Sequence, residues 1–281
     1  MSIAPPGHPA PPPAPELPAG VSPGGLTGAT WSAPVAVFGG LGLFIAAIFL
    51  AAVPQGIGVA FGDSMSDPGA ATTFFSILVQ DAGIIAGVWL VVRATGTAQI
   101  APRLGLRSPR FWPAVGWLAL TFVCYLVFAG VYSQLIDTPE QTILEDAGAK
   151  DSLIATIAIC FCICVMAPLA EELLFRGFIF GGLRRWRGFW PAAIISGSLF
   201  GLAHVLGSPV ETLPILAFFG FGLAFLYELT KSLYPSIYLH AINNSLAFSV
   251  GLELQWEWIL VFAGSLTAIS FVLMTTRRLA Q

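Results

Sequence analysis

Apolar runs recur along this chain, most of them as long as a helix that crosses a bilayer, with short polar segments between them. They lie near residues 34–54, 72–92, 111–132, 153–180, 190–206, 213–230, 233–250 and 257–275. A helix rises 1.5 Å per residue, so about 20 apolar residues span the hydrocarbon core of a membrane. The pattern predicts an all-α fold, a polytopic transmembrane helical bundle of about eight spans. Only the run at 190–206 is short for a crossing. Composition excludes the soluble alternative: 10% of the residues are charged and 56% hydrophobic, whereas a soluble domain carries about 25% charged residues. A net charge of -3 with no basic patch excludes nucleic acid as a partner.

Residues 1–33 are rich in Pro, Gly and Ala and contain no Lys or Arg. They read as a disordered, partly polyproline tail without the basic start of a signal peptide, and His8 in it as a solvated side chain. The four cysteines, Cys124, Cys160, Cys162 and Cys164, all sit in apolar runs. The last three are two residues apart, roughly 200° around a helix per step, which reads as helix packing rather than a shared metal site.

Basic residues set an expected orientation. With the N-terminus in the cytoplasm, Arg93, Arg103, Arg107, Arg110, Arg184, Arg185, Arg187, Lys231, Arg277 and Arg278 all fall inside, and only Lys150 falls outside. The outer loops hold Asp63, Asp67, Asp137, Glu140, Glu145, Asp146, Asp151, Glu211, Glu253 and Glu257. Both termini are then expected on the cytoplasmic side.

Charge at the bilayer centre costs roughly 2.5–3.5 kcal/mol on insertion scales, so ionisable residues inside spans need a partner or a role. Span four carries Glu171, Glu172 and Arg176 in APLAEELLFRGFIF. Glu172 and Arg176, at i and i+4, are placed to pair along one face. Glu171 lies about 140° from Arg176 in azimuth and points elsewhere. That leaves one structural carboxylate and one free one. Span five carries His204, with Phe200 one turn before it, and span seven carries His240, with Asn244 one turn after it. His and Asn side by side suit an oxyanion. Elsewhere, Asp81 beside Gln80 reads as a local hydrogen-bonding pair, and Glu228 as a residue that snorkels to the nearby cytoplasmic face.

A glutamate in an apolar pocket can act as a base on water, a histidine can hold that water or pass its proton, and a His–Asn pair can stabilise a tetrahedral intermediate. Two histidines and a carboxylate also make a zinc set. The chain has no HExxH and no GxSxG. Two other readings stay open: a non-catalytic binding or immunity protein of the same fold, and a proton-coupled transporter using Asp81, Glu171 and the histidines as a relay. No internal repeat supports the transporter.

The segments EELLFR (Glu171, Glu172, Arg176), FGLAH (Phe200 to His204) and HAINN (His240 to Asn244) occur in that order, each on an expected membrane helix. Together they resemble the EExxxR, FxxxH and HxxxN motifs of the CPBP family, the CAAX prenyl proteases and bacteriocin-processing enzymes also called ABI-domain proteins. The resemblance covers roughly 150–250. It implies an intramembrane endopeptidase in which Glu171 activates water, His204 assists, His240 and Asn244 form the oxyanion site, and Glu172 and Arg176 support the catalytic helix. It also implies either no cofactor or a divalent metal such as zinc on Glu171, His204 and His240. The substrate would be a peptide or protein, prenylated or membrane-bound, and the location a bacterial plasma membrane. The chain then divides into a cytoplasmic tail (1–33), N-terminal spans (34–150), a protease core (151–250) and a last span with its tail (251–281). Helix counting poses one difficulty: it puts Glu171 and His240 toward the cytoplasmic half and His204 toward the outer end.

Overall fold

The structure, a computed structural model, describes residues 29–279 except 66, 97–98 and 140–142. The tail with its His8 is outside the described residues as far as residue 28, and Glu140 is outside them too. Eight long helices form a bundle: α1 (Val35–Ala60), α2 (Ala70–Ala94), α3 (Phe111–Leu135), α4 (Leu153–Arg187), α5 (Phe189–Ala203), α6 (Leu213–Thr230), α7 (Tyr234–Gly251) and α8 (Trp258–Leu279). No strand occurs among the described residues. Six of the helical segments are long and apolar enough to cross a membrane. Of the other two, α5 has only 15 residues and α7 interrupts its apolar face with Ser236, His240, Asn243, Asn244, Ser245 and Ser249. The protein is an integral, multi-pass membrane protein.

The basic loops meet at one end. Arg107 Nε donates to Lys231 O at 2.5 Å, Leu233 N donates to Gly105 O at 2.9 Å, and Arg184 pairs with Glu228 at 3.0 Å. Glu228 also pairs with Lys231 at 3.1 Å, so it ties α4 to the end of α6 instead of merely reaching for solvent. At the opposite, acidic end, Leu144 packs under Gly251, and Ala70 lies against Gly148.

Helix α4 is the axis of the bundle and packs against α1, α2, α5, α6, α7 and α8. It is not a uniform α-helix: Cys162–Met166 and Leu173–Phe180 are π-helical. The first π stretch has a cause in the sequence. Pro168 has no N–H and its ring crowds the carbonyl four residues back, so the α ladder cannot run through it. In the wider ladder Ala167 N donates to Cys162 O. The next carbonyl, Ile163 O, would pair with residue 168, a proline, and instead accepts from Asn244 Nδ2 at 2.9 Å.

Helices α5 and α6 form a tight antiparallel pair. A Cβ on Gly197 would stand 2.7 Å from Phe221 N and 2.9 Å from Ala217 O, and one on Gly201 2.7 Å from Leu213 O. Small residues four apart let membrane helices approach this closely. Because the obstructing atoms are backbone, Gly197→Val has no soft neighbour to displace. It is expected to destabilise the protein by about 3 kcal/mol, at the upper end of overpacking costs, read as a lowered midpoint of thermal unfolding in micelles.

Two sequence expectations are revised. Residues 29–33, placed in the disordered tail, are packed: Ala29 and Trp31 are buried, and Trp31 Nε1 donates to Phe178 O at 2.9 Å. The large aromatic ring finds an apolar seat that the surrounding Pro/Gly composition conceals. Asp81 is buried, and its Oδ2 has no hydrogen-bond partner among the described residues, in contrast to the pair expected with Gln80.

Candidate active site

Three segments converge on α4. Glu171 and Glu172 close its central α-helical turns, just before the second π stretch, and Arg176 lies within that stretch. His204 caps the C-terminus of α5, and His240 sits two turns into α7. The difficulty over depth disappears because α5 follows α4 after Gly188 alone and runs back along it. Phe189 at its first position packs on Phe180, with ring centroids 6.3 Å apart, and Ser196 Oγ donates to Phe175 O at 2.9 Å. At 1.5 Å per residue, 15 residues give roughly 22 Å, less than a bilayer core, so α5 ends at the depth of the glutamates. His204 therefore reaches Glu171.

Glu172 and Arg176 form the expected i, i+4 pair, with Nη1 to Oε1 at 2.8 Å and both side chains fully buried. The surroundings complete it. Arg176 Nη2 donates to Gly220 O at 3.0 Å, and its guanidinium lies 4.4 Å from the Phe200 ring centroid. The aromatic face of Phe200 thus supports the cation, and its edge meets both imidazoles, with centroids 4.9 Å from His204 and 5.6 Å from His240. Phe219, which carried no sequence signal, closes the other side of His240 at 5.6 Å.

The hydrogen bonds assign the neutral imidazole tautomers. His204 Nδ1 is 2.8 Å from Phe200 O. A carbonyl only accepts, so Nδ1 carries the proton and Nε2 presents a lone pair. His240 Nδ1 is 3.0 Å from Glu172 Oε1, the oxygen that also accepts from Arg176. Here too Nδ1 donates and Nε2 is bare in the neutral ring. Both Nε2 atoms face the same carboxylate oxygen: Glu171 Oε2 is 3.9 Å from His204 Nε2 and 3.8 Å from His240 Nε2. It has no hydrogen-bond partner among the described residues. These gaps are too long for direct hydrogen bonds and suit a bridging water. Glu171 and His204 keep 18% and 29% side-chain exposure against 0% for Glu172, so the site opens on the Glu171–His204 side.

The structure thus brings together Glu171, Glu172, Arg176, Phe200, His204 and His240. Asn244 is turned to the π stretch of α4, with one amide hydrogen committed to Ile163 O and a second remaining. The donor types of Glu171, His204 and His240 match a zinc set, with the carboxylate oxygen set back from both imidazoles. Ligands about 2.0–2.1 Å from one tetrahedral zinc lie roughly 3.3 Å apart, closer than the 3.8 and 3.9 Å found here. No group of three or more His, Cys, Asp and Glu among the described residues has a metal-holding arrangement.

Residues 153–246 match the family model described as Type II CAAX prenyl endopeptidase Rce1-like. That segment contains every residue of the site. Over 89 residues the chain is 34% identical to a Bacillus subtilis (strain 168) protein named "Putative membrane peptidase YdiL", which covers 32% of this chain and 35% of that one. The chain thus spans about a third of the length of the curated relative it matches. No solved structure matches the chain significantly.

Proposed function

We propose that the chain is an intramembrane endopeptidase of the CPBP type that hydrolyses a peptide bond with water activated by Glu171, a reading supported by the match of residues 153–246 to the Rce1-like family model. The observation that carries this reading is the convergence of two imidazole Nε2 atoms on one unpartnered carboxylate oxygen.

In the proposed reaction a water molecule sits between Glu171 Oε2 and the imidazoles. Glu171 takes one of its protons, the oxygen attacks the scissile carbonyl carbon, and the carbonyl π pair moves to oxygen. The second amide hydrogen of Asn244 stabilises the oxyanion, joined by His240 when its Nε2 has taken a proton from solvent, which it keeps through the step while Nδ1–H stays on Glu172. Collapse breaks the C–N bond. The leaving amine takes the proton from Glu171 by way of His204 Nε2, which regenerates the carboxylate. Glu172 and Arg176 hold His240 and the helix in register. The substrate is a peptide or protein held at the membrane, a prenylated C-terminus among the candidates. The host membrane is a bacterial plasma membrane with both termini on the cytoplasmic side, the side of the basic loops.

The test is cleavage of membrane-tethered peptides, prenylated and not, by the purified protein with and without a chelator. Cleavage indifferent to chelator is expected, falling about 100-fold in His204→Ala, the lower range for a proton-transfer group. Loss with chelator and recovery with zinc would instead make Glu171, His204 and His240 ligands. No cleavage of any peptide would return the chain to the binding-protein reading.

A further inference from the structure

We propose that Trp31 and the segment 29–34 are a positioning element of the active site, holding the second π stretch of α4 in the register that the catalytic constellation requires. This inference rests on the peptidase reading and adds to it a residue outside the family-matched segment.

A π stretch of eight residues, Leu173–Phe180, is exceptional, because π geometry normally persists only as single-turn bulges and often beside functional sites. A stretch this long needs restraint at both ends. At its start, Arg176 is tied to Glu172, Gly220 and, through Glu172, His240. At its end Gly39 and Gly40 of α1 pack on Phe178 and Ile179, and the hydrogen bond from the N-terminal side of the chain comes from Trp31. Its Nε1 donates to Phe178 O at 2.9 Å, and its ring stacks on Phe178 at 5.1 Å with a 27° tilt. The seat is shaped for it: a Cβ on Gly182 would stand 2.9 Å from Trp31 Nε1 and 2.5 Å from Ala36 Cβ.

Two arginines hold the segment in place. Arg103, buried on the turn Ile100–Arg103, donates to Thr30 Oγ1 and Thr95 Oγ1 and lies 5.6 Å from the Trp31 ring centroid. Arg185, beyond the π stretch on α4, donates to Ala29 O. No carboxylate hydrogen-bonds either guanidinium among the described residues; Arg103 also donates to Val92 O at 2.7 Å, so it ties this segment to the end of α2.

Each residue of a π-helix turns through a smaller angle than in an α-helix. Reversion of Leu173–Phe180 to α geometry would rotate Glu171 and Glu172 relative to everything beyond Phe180. Their side chains face His204 and His240 across gaps of 3.0 to 3.9 Å, so a modest rotation breaks the constellation. Trp31 touches no reacting group and acts through Phe178.

The experiment compares the full-length wild type with Trp31→Phe, which keeps a ring on Phe178 and removes the donor, and Trp31→Ala, which removes both. All are assayed where they are equally folded by thermal unfolding in micelles. Trp31→Phe is expected to lower kcat about fivefold, the effect of one neutral hydrogen bond, and Trp31→Ala about 50-fold, with KM within twofold of wild type in both. Hydrogen exchange of amides 173–182 is expected to rise in the same order, while that of 213–230 stays unchanged. Wild-type kcat in Trp31→Ala, or unchanged exchange in 173–182, would overturn the proposal. If the wild type cleaves nothing, the peptidase reading fails and the exchange result alone decides whether Trp31 sets the π register.

Discussion

Replacing Glu171 by Gln is expected to lower kcat about 1,000-fold or more while leaving the protein folded, and Glu171→Ala to do the same. A positioned general base contributes 10²–10⁴, and this one has no substitute: Glu172 is engaged by both Arg176 and His240. Stability moves differently. Oε2 of Glu171 is buried without a hydrogen-bond partner among the described residues, and an unpartnered buried polar atom is destabilising. Gln keeps the shape and removes the charge, so the unfolding midpoint should hold or rise. The measurement is kcat on a cleaved peptide beside a thermal melt of the same preparation. Near wild-type turnover in Glu171→Gln would show that another group activates water. Loss of folding in that variant would make Glu171 structural.

The different parts of this architecture differ in how legible they are in sequence. The spans read well because the bilayer demands some 20 apolar residues per crossing whatever the packing. The basic loops read well because each bears charges that converge on one end of the bundle. The Glu172–Arg176 pair follows from helix periodicity, which survives the π stretch because four residues make nearly one turn in either geometry. The depth of His204 does not follow, since counting along α5 does not show how it lies against α4, where Phe189 packs on Phe180 and Ser196 bonds to Phe175 O. The bond from Asn244 to Ile163 O was half visible: Pro168 announces a free carbonyl, but which side chain reaches it depends on how α7 lies against α4. The docking of Trp31 on Phe178, across 147 positions, has no local signal beyond one bulky aromatic at the end of a Pro- and Gly-rich stretch.

The second large effect is expected at Arg176. Arg176→Met is expected to lower stability by about 3–5 kcal/mol, the cost of leaving a buried charge without its partner. Its guanidinium is fully buried, and among the described residues it is the one permanent cation that hydrogen-bonds Glu172, beside the imidazole of His240. Removing it leaves the Glu172 carboxylate to His240 alone, which draws that imidazole toward Glu172 and away from Glu171. Activity is therefore expected to fall with stability, unlike the result at Glu171. Arg176→Lys should recover only part of either, because an ammonium lacks the planar fork that reaches Glu172 Oε1 and Gly220 O together while lying on Phe200. The pairing itself is tested by the double variant Glu172→Gln, Arg176→Met. With both charges gone, its loss should be smaller than the sum of the two single losses. Thermal unfolding of the four proteins in one detergent measures this coupling. A double variant as unstable as that sum would mean that the two side chains contribute independently, and that His240 owes its position to packing between Phe200 and Phe219 rather than to the ion pair.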